Sequence, residues 1–548
     1  MKNYVPRLKS LLPAIVFLLV AFVIGPLKQL DLLSLMPGDL GDARLNNYFL
    51  ENIYQFIRGR SPSLIHLGFF YPFTYVGGFS DNLFGSSPFY LLARAISGEP
   101  DTAFQIWYLI GYLINYFAAY YALRKLEISR VASIAGSLLF AFALPVTGQS
   151  EHAQLHYRFA VPLSLVAFIQ FLATKNWLNL IKAIGWLVWQ FYCSIYIGFF
   201  LLLSLSTMSG YYAMKFYSID KRNSKPLSNN FYLQWQQWPR LTRWKFAFAV
   251  VFIGLSMAIL FYPYIQVTLL YGAKRTFREI SPMLPRLQSY FFSDESWLWK
   301  SSSAWFGTLP LPWEHRLWIG AVPMILTVFG LRAGISQKRS LTFFLMASSL
   351  ITMIVLTLFL GSFSPWRLLS WLPLASAIRA MARIILVLLF PIAYLCAFAI
   401  DQLKNKNSQI ISFLPAVLIL LMIFEFSATS PSVSSKAEWR TRLNTLEATL
   451  PADLTKKSVV FFAQMKGPFY ADELDAMWVA LMRGLPTLNG YSGMLPPGYS
   501  QEYGNDCNEP ARRVQAYIDF ARSRHSLVDE AVSLKSLVLV GFQKCSLN

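Results

Sequence analysis

The chain has 548 residues, of which 55% are hydrophobic, 16% aromatic and only 14% charged, with a mean hydropathy of +0.43. A soluble protein carries about a quarter charged residues, so this chain has too few to cover a water-facing surface, and lipid is the natural solvent for most of it. The formal net charge of +20 is spread in short basic clusters between apolar runs, which argues for a membrane protein with basic inner loops and against a nucleic-acid partner.

A membrane helix needs about 20 mostly apolar residues. The first such run, 11–27, follows Lys2, Arg7 and Lys9. No small-x-small cleavage site follows it, so it reads as a retained anchor. Further runs lie near 103–123, 131–147, 157–173, 178–194, 196–214, 246–265, 316–332, 341–361, 381–401 and 409–427, which makes about eleven spans.

With the N-terminus in the cytoplasm, the inner connections carry Arg124, Lys125 and Arg130, then Lys175 and Lys182, then a cluster from Lys215 to Lys245. Arg332, Lys338 and Arg339 follow, and finally Lys404 and Lys406. Each is basic, as the positive-inside rule requires. The pattern survives only if the stretch 178–214 breaks into two helices near Ser194 to Gly198. The odd count then puts the C-terminal segment outside. The expectation is a multi-pass protein of a bacterial inner membrane, with a transmembrane domain 1–428 and an extracytoplasmic domain 429–548.

Three outer loops are long: 28–102, 266–315 and 362–380. They are rich in Pro, Gly and aromatic residues and hold most of the polar candidates. The first contains Asp39 and Asp42 between glycines. A carboxylate here suits a general base on an acceptor hydroxyl or a ligand for a divalent metal, while Asp42 also suits a helix cap. From Asp42 to Arg58, apolar Leu45, Tyr48, Phe49, Ile53, Phe56 and Ile57 recur at helical spacing, predicting a helix that lies along the outer interface with Glu51 on its solvated face. Asp81-Asn82 follows Gly77-Gly78, where turn chemistry explains the pair and ligand contact is a second reading.

Glu151, His152 and His156 follow the third span. Two histidines four apart share one face of a helix, which fits a polar cavity lining better than a metal site. Glu314-His315 enters another span and is expected to face the same cavity. In the long second outer loop, Lys274, Arg275 and Arg278 form a basic cluster. Arg379 and Arg383 stand four apart at the entry of the tenth span, placed either to fork a phosphate or to snorkel to headgroups.

Beyond 430 the polarity is ordinary. Ser458–Ala463 and Ser536–Phe542 read as buried strands, and 435–450, 470–483 and 510–522 as amphipathic helices. This predicts a small α/β domain. Cys507 and Cys545 lie in it, as a disulfide in an oxidising compartment or as two free thiols. There is no P-loop, Rossmann fingerprint or G-x-S-x-G elbow, so nucleotide hydrolysis is not expected.

The chain resembles the C-type (GT-C) membrane glycosyltransferases, in particular uncharacterised bacterial members. The resemblance rests on the order of elements: one N-terminal span, an outer loop reading Gly38-Asp-Leu-Gly-Asp-Ala-Arg-Leu-Asn-Asn-Tyr-Phe-Leu-Glu51, many further spans, then an outer soluble segment. Short segments add to it: Tyr71-Pro72, Ser80-Asp-Asn82, Leu372-Pro-Leu-Ala-Ser-Ala-Ile-Arg-Ala-Met-Ala-Arg383 and Leu488-Asn-Gly-Tyr-Ser-Gly-Met-Leu-Pro496. It implies a polyprenyl-phosphate-linked sugar donor used on the outer face of the membrane, with an acceptor that is a glycan, lipid or protein. It also implies a first-loop carboxylate, Asp42 before Asp39, as the base, and Arg379 and Arg383 at the departing phosphate. The Asp-Glu doublet of several relatives is absent here.

Two other readings stand beside it. A lipid or glycan transporter or flippase would carry ionisable residues near the bilayer midplane, whereas Asp401 and Glu425 lie near span ends. A non-catalytic assembly protein would tolerate neutralised loop carboxylates.

Overall fold

The computed structural model describes residues 11–219, 227–337, 340–372, 375–404, 409–455, 457–463, 468–500, 508–524 and 537–541. Each apolar run of the sequence falls on a helix. In chain order the helices are α1 (Leu12–Phe22), α2 (Asp42–Ile57), α3 (Ser87–Ser97), α4 (Pro100–Lys125), α5 (Arg130–Phe142), α6 (Leu144–Gly148), α7 (Ala160–Thr174), α8 (Trp177–Cys193), α9 (Ile195–Ile219), α10 (Leu227–Gln237) and α11 (Arg240–Tyr271). They continue with α12 (Phe277–Ile280), α13 (Lys300–Ser303), α14 (Ala321–Ser336), α15 (Leu341–Thr357), α16 (Ile385–Lys404), α17 (Gln409–Ser427), α18 (Lys436–Glu447), α19 (Phe469–Arg483) and α20 (Asn508–Ser523).

Among the described residues, six helical segments are long and apolar enough to cross a membrane: Pro100–Lys125, Arg130–Gly148, Ala153–Thr174, Ile195–Lys215, Arg240–Tyr271 and Met381–Leu403. Shorter apolar helices cover Leu12–Leu27, Ala321–Ser336, Leu341–Thr357 and Phe413–Ser427. The chain is a multi-pass membrane protein. α16 is the centre of the bundle, buried from Ile385 to Ile400 against α5, α14, α15 and α17. α11 is at the edge and leaves Phe248, Val251 and Ile259 uncovered, the surface a lipid-facing helix presents.

The stretch 178–214 breaks at Ser194, whose backbone is extended (φ −166°, ψ 130°). Asp81 holds the break. Its carboxylate accepts the Ser194 hydroxyl at 2.5 Å and the Ile195 N–H at 2.6 Å, so it caps α9. The acids at span ends serve the same purpose. Glu425 accepts the N–H groups of Ala321 and Val322 at the start of α14, and Asp401 accepts that of Ser129 before α5.

The first long loop is threaded through the rest of the fold. Strand β1 (Leu35–Pro37) pairs antiparallel with β2 (Val433–Ser435), so the residue after the first span is tied to the residues after the last. Gly38 then turns with φ +77°; a Cβ there would stand 2.4 Å from that of Ala43 and 3.2 Å from the Glu151 backbone. Gly38→Ala is therefore expected to cost at least ~1–2 kcal/mol from the left-handed backbone alone. A lowered thermal midpoint of the detergent-solubilised protein is the measurement.

α2 forms where the sequence places it, and other parts of the chain cover both of its faces. Its apolar face packs under α19, with Tyr48 edge-on to Phe69 and Trp478. Its polar face is buried too. Glu51 is enclosed, accepting from Tyr90, Arg94 and Gln55, rather than solvated. The sequence pattern registered one greasy face; it carried no sign that distant segments cover the other.

In the C-terminal segment, β3 (Val459–Phe462) pairs parallel with β4 (Leu537–Val540), flanked by α18, α19 and α20. One core here is internal, built on Leu446, Val460, Phe462, Ala476 and Val479. A second is shared with the first long loop: Leu45, Tyr48, Phe69, Phe70 and Phe73 pack with Phe461, Leu474, Trp478 and Tyr517. Cys507 and Cys545 lie outside the described residues, and Cys193 and Cys396 are buried free thiols.

Candidate active site

Asp39 and Asp42 do different work. Asp42 is the first residue of α2 and does not cap it. Asp39 stands beside the helix start, with Oδ1 buried and without a hydrogen-bond partner among the described residues. Burial, then the charges of Asp42 and Glu151, push Asp39 up to about 6. Asp42 lines a cavity of about 390 Å³ with 36% of its side chain exposed.

Asp42 is gripped from both sides. Tyr491 donates its hydroxyl to Oδ1 at 2.8 Å, and Nδ1 of His152 lies 3.1 Å from Oδ2. Nε2 of His152 lies 3.5 Å from Glu314 and 2.9 Å from a guanidinium nitrogen of Arg383. Arg383 forks Glu314 with bonds of 3.1 and 2.7 Å and lies over the Tyr196 ring. The chain Tyr491–Asp42–His152–Glu314–Arg383 thus joins five distant points of the sequence.

Burial pushes the Asp42 carboxyl up, but the His152 hydrogen bond and charge, the Tyr491 hydroxyl and Arg383 together hold it below the ordinary carboxylate range. Glu314 is likewise raised by burial and held far lower by Arg383 and His152. Burial and Arg383 lower His152, and the two carboxylates outweigh them and raise it.

The same cavity is lined by Lys274, Arg275, Arg379 and Arg383, with Asp81 on its wall. Arg379 has no hydrogen-bond or ion-pair partner among the described residues; Arg275 reaches Glu279 and the Gly493 carbonyl. Val267, Ile195 and Tyr271 supply an apolar wall beside the lipid-exposed edge of α11. A carboxylate facing a space with surplus positive charge and an apolar wall can take a proton from a hydroxyl while the basic residues receive an anionic leaving group.

Two sequence expectations for the site do not hold. His156 does not share a face with His152, because the segment between them is a 3₁₀ turn (Ala153–Leu155) rather than an α-helix. The ring of His156 stacks on Tyr108 and bonds its carbonyl at 2.8 Å, away from the cavity. His315 turns from its neighbour Glu314 toward Ser289 and the Pro282 carbonyl, each at 2.8 Å. Asp81 lines the cavity but is spent on the helix break. Arg278 is not among the cavity residues. No group of three His, Cys, Asp or Glu that could hold a metal ion occurs among the described residues.

Tyr491 was missed as a site residue; only the quoted Leu488–Pro496 segment contained it. Gln154 was missed too. It lines the cavity and accepts from Asn46 of α2 at 2.8 Å.

No family model matches the chain, and no curated protein does. Solved structures similar to it include the arabinofuranosyltransferase AftD from Mycobacteria, at 12% identity and TM-score 0.45. That likeness covers 84% of this chain and 30% of AftD, so the chain spans under a third of its length. ArnT from Cupriavidus metallidurans bound to undecaprenyl phosphate is similar at 13% identity and TM-score 0.43, covering 86% of this chain and 89% of that one. The apo state of the same ArnT is similar at 12% identity and TM-score 0.43 over the same shares.

Proposed function

We propose that this chain is a glycosyltransferase that moves a sugar from a polyprenyl-phosphate-linked donor to an acceptor hydroxyl, at the outer face of a bacterial inner membrane. One observation carries the reading. A partly exposed carboxylate, Asp42, faces the same cavity as Lys274, Arg275, Arg379 and Arg383, beside an apolar wall. The sequence resemblance to GT-C enzymes points the same way.

In this mechanism the donor enters past α11 with its tail on Val267 and Ile195 and its phosphate among the basic residues. The acceptor hydroxyl hydrogen-bonds to Asp42. As the hydroxyl oxygen bonds to the anomeric carbon and the phosphate–sugar bond breaks, Asp42 takes the proton and the arginines receive the departing phosphate. The depressed basicity of Asp42 keeps it ionised and ready; proton transfer is then late, when the hydroxyl has become acidic. His152 and Tyr491 position the carboxylate.

The test is donor binding. Arg379 is the cavity guanidinium without a partner among the described residues, so Arg379→Ala is expected to weaken undecaprenyl phosphate binding by about tenfold or more, the worth of one charge-assisted contact. Titration of the detergent-solubilised protein by native mass spectrometry reads it. Equal affinity of the wild type for undecaprenyl phosphate and for uncharged undecaprenol defeats the reading.

The pH profile is a second check. Asp42 is depressed, so its contribution is complete above the ordinary carboxylate range and is lost as pH falls through its folded value. His152 is raised, so its contribution is complete below its ordinary value and is lost as pH rises through the folded one. Tyr491→Phe deletes a bond that favours charged Asp42. It is expected to move the acid limb of transfer upward by about half to one pH unit, equivalent to one hydrogen bond of ~1 kcal/mol. An unmoved acid limb removes Tyr491 from the site.

A further inference from the structure

Two of the apolar helices are short for a membrane. α14 has 16 residues and α15 has 17, so at 1.5 Å per residue they are about 24 and 26 Å long. The hydrocarbon core of a bilayer is about 30 Å thick, and tilting a helix only reduces the depth it covers. Both present apolar side chains outward, through Ile325 and Val328 on α14 and Ile351 and Val355 on α15. The apolar belt is therefore a few ångströms short here unless the connecting segments extend it.

Two segments do so. Residues 297–313 lead toward α14, and 358–372 leave α15. Together they hold six of the chain's 16 tryptophans, two cations, Lys300 and Arg367, and no acid. Trp305 is 83% exposed and Trp371 74%, and Leu360, Phe363 and Leu368 are uncovered as well. Single exposed apolar residues are ordinary, whereas a run of them marks an interaction surface.

That surface is continuous with helices that face lipid. Trp297 packs edge-on against Phe424 in the last turn of α17, with ring centres 5.8 Å apart and both rings exposed. Its N–H bonds the Ala428 carbonyl, just past the end of that helix. Leu360 follows Val355 of α15 by five residues, and it exchanges backbone bonds with Phe363 at 2.8 and 3.0 Å. Phe306, next to Trp305, stacks on Phe291, which leans on Trp318 just before α14. Glu314 lies between Trp313 and α14, so this rim is at the same end of the bundle as Asp42.

Residue type and charge select the occupant. Indoles favour the boundary between acyl chains and headgroups, where the ring is in apolar surroundings and the N–H still finds a partner. Lys300 and Arg367 are both exposed and suit headgroup phosphates. The backbone agrees. The segments fold into short 3₁₀ turns, Ala304–Phe306 and Pro365–Leu368, and irregular backbone is excluded from hydrocarbon but not from the hydrated headgroup layer.

We infer that 297–313 and 358–372 form an apolar collar that seats in the headgroup layer of the bilayer at the Asp42 end, completing the belt that α14 and α15 leave short. The inference needs only that the chain spans a membrane, and it is independent of the transfer reading.

The experiment uses the full-length protein in nanodiscs of phosphatidylethanolamine and phosphatidylglycerol. The photoreactive residue p-benzoylphenylalanine replaces Trp305, Trp371, Phe252 or Met482, one at a time, and mass spectrometry measures lipid adducts after irradiation. All four side chains are exposed, so no core is disturbed. Phe252, on the lipid-facing edge of α11, sets the full yield, and Met482, on α19 of the C-terminal segment, sets the background. Trp305 and Trp371 are each expected to give at least about five times the Met482 yield, as residues in the headgroup layer should. A yield at either position no higher than at Met482, with Phe252 still labelled, overturns the inference. So does crosslinking of either position to a second copy of the chain instead of lipid.

Discussion

Asp42→Asn is expected to lower sugar transfer by about 10²- to 10⁴-fold, the usual worth of a positioned general base, while the protein stays folded. The substitution is nearly isosteric. The amide oxygen still accepts from Tyr491 at the position of Oδ1, and α2 loses no cap, because Asp42 makes no capping bond. What the amide cannot do is take a proton. The measurement is single-turnover release of polyprenyl phosphate from a labelled donor, beside the thermal midpoint of the same preparation. Retention of a tenth of wild-type transfer by a well-folded Asp42→Asn protein sinks the assignment. Asp39→Asn is the companion: it leaves untouched the carboxylate that Tyr491 and His152 hold, so both transfer and stability are expected to remain near wild type.

The second large effect belongs to Arg383. Arg383→Ala leaves Glu314 buried with only the distant Nε2 of His152, and breaking one side of a buried ion pair costs ~3–5 kcal/mol. A depressed thermal midpoint is expected, together with loss of transfer, since the cavity loses one of its cations. Stability alone does not separate a structural role from a functional one. Replacing both members by apolar residues, Arg383→Met with Glu314→Leu, removes the stranded charge and is expected to recover much of the stability. Transfer is expected to stay lost in that double variant, because the guanidinium at the phosphate is still missing. Recovery of both together makes the pair purely structural.

The sequence was most readable where one physical signal acts locally. Apolar runs located the spans because twenty consecutive greasy residues have few other fates. The break at Ser194 followed from charge bookkeeping across loops. Asp42, Glu314 and Arg383 stood out because charged residues beside apolar runs are conspicuous. Where the reading failed, the cause was a contact made at long range or a local backbone shape. Glu51 looked solvated because Arg94 and Tyr90, which enclose it, lie some forty residues away. The sequence left Asp42 open as a base or a helix cap, because both roles fall at a helix start; the structure gives it no capping bond and places it on the cavity. His156 was misplaced by assuming α-helical spacing through a 3₁₀ turn. Tyr491 sits 449 residues from the carboxylate it clamps, and no periodicity encodes that.

The pairing of β1 with β2 sets an order of events during synthesis. The strand beside the first loop has its partner only when residue 433 has emerged, after the last of the apolar helices. Tyr491 and the Asp475 partner of Arg44 come later still. A half-made chain in the membrane therefore has its cavity arginines at most partly assembled and its carboxylate unclamped. Nascent and truncated chains are expected to be silent in the transfer assay. A chain ending at residue 432 that still consumed donor would overturn that expectation.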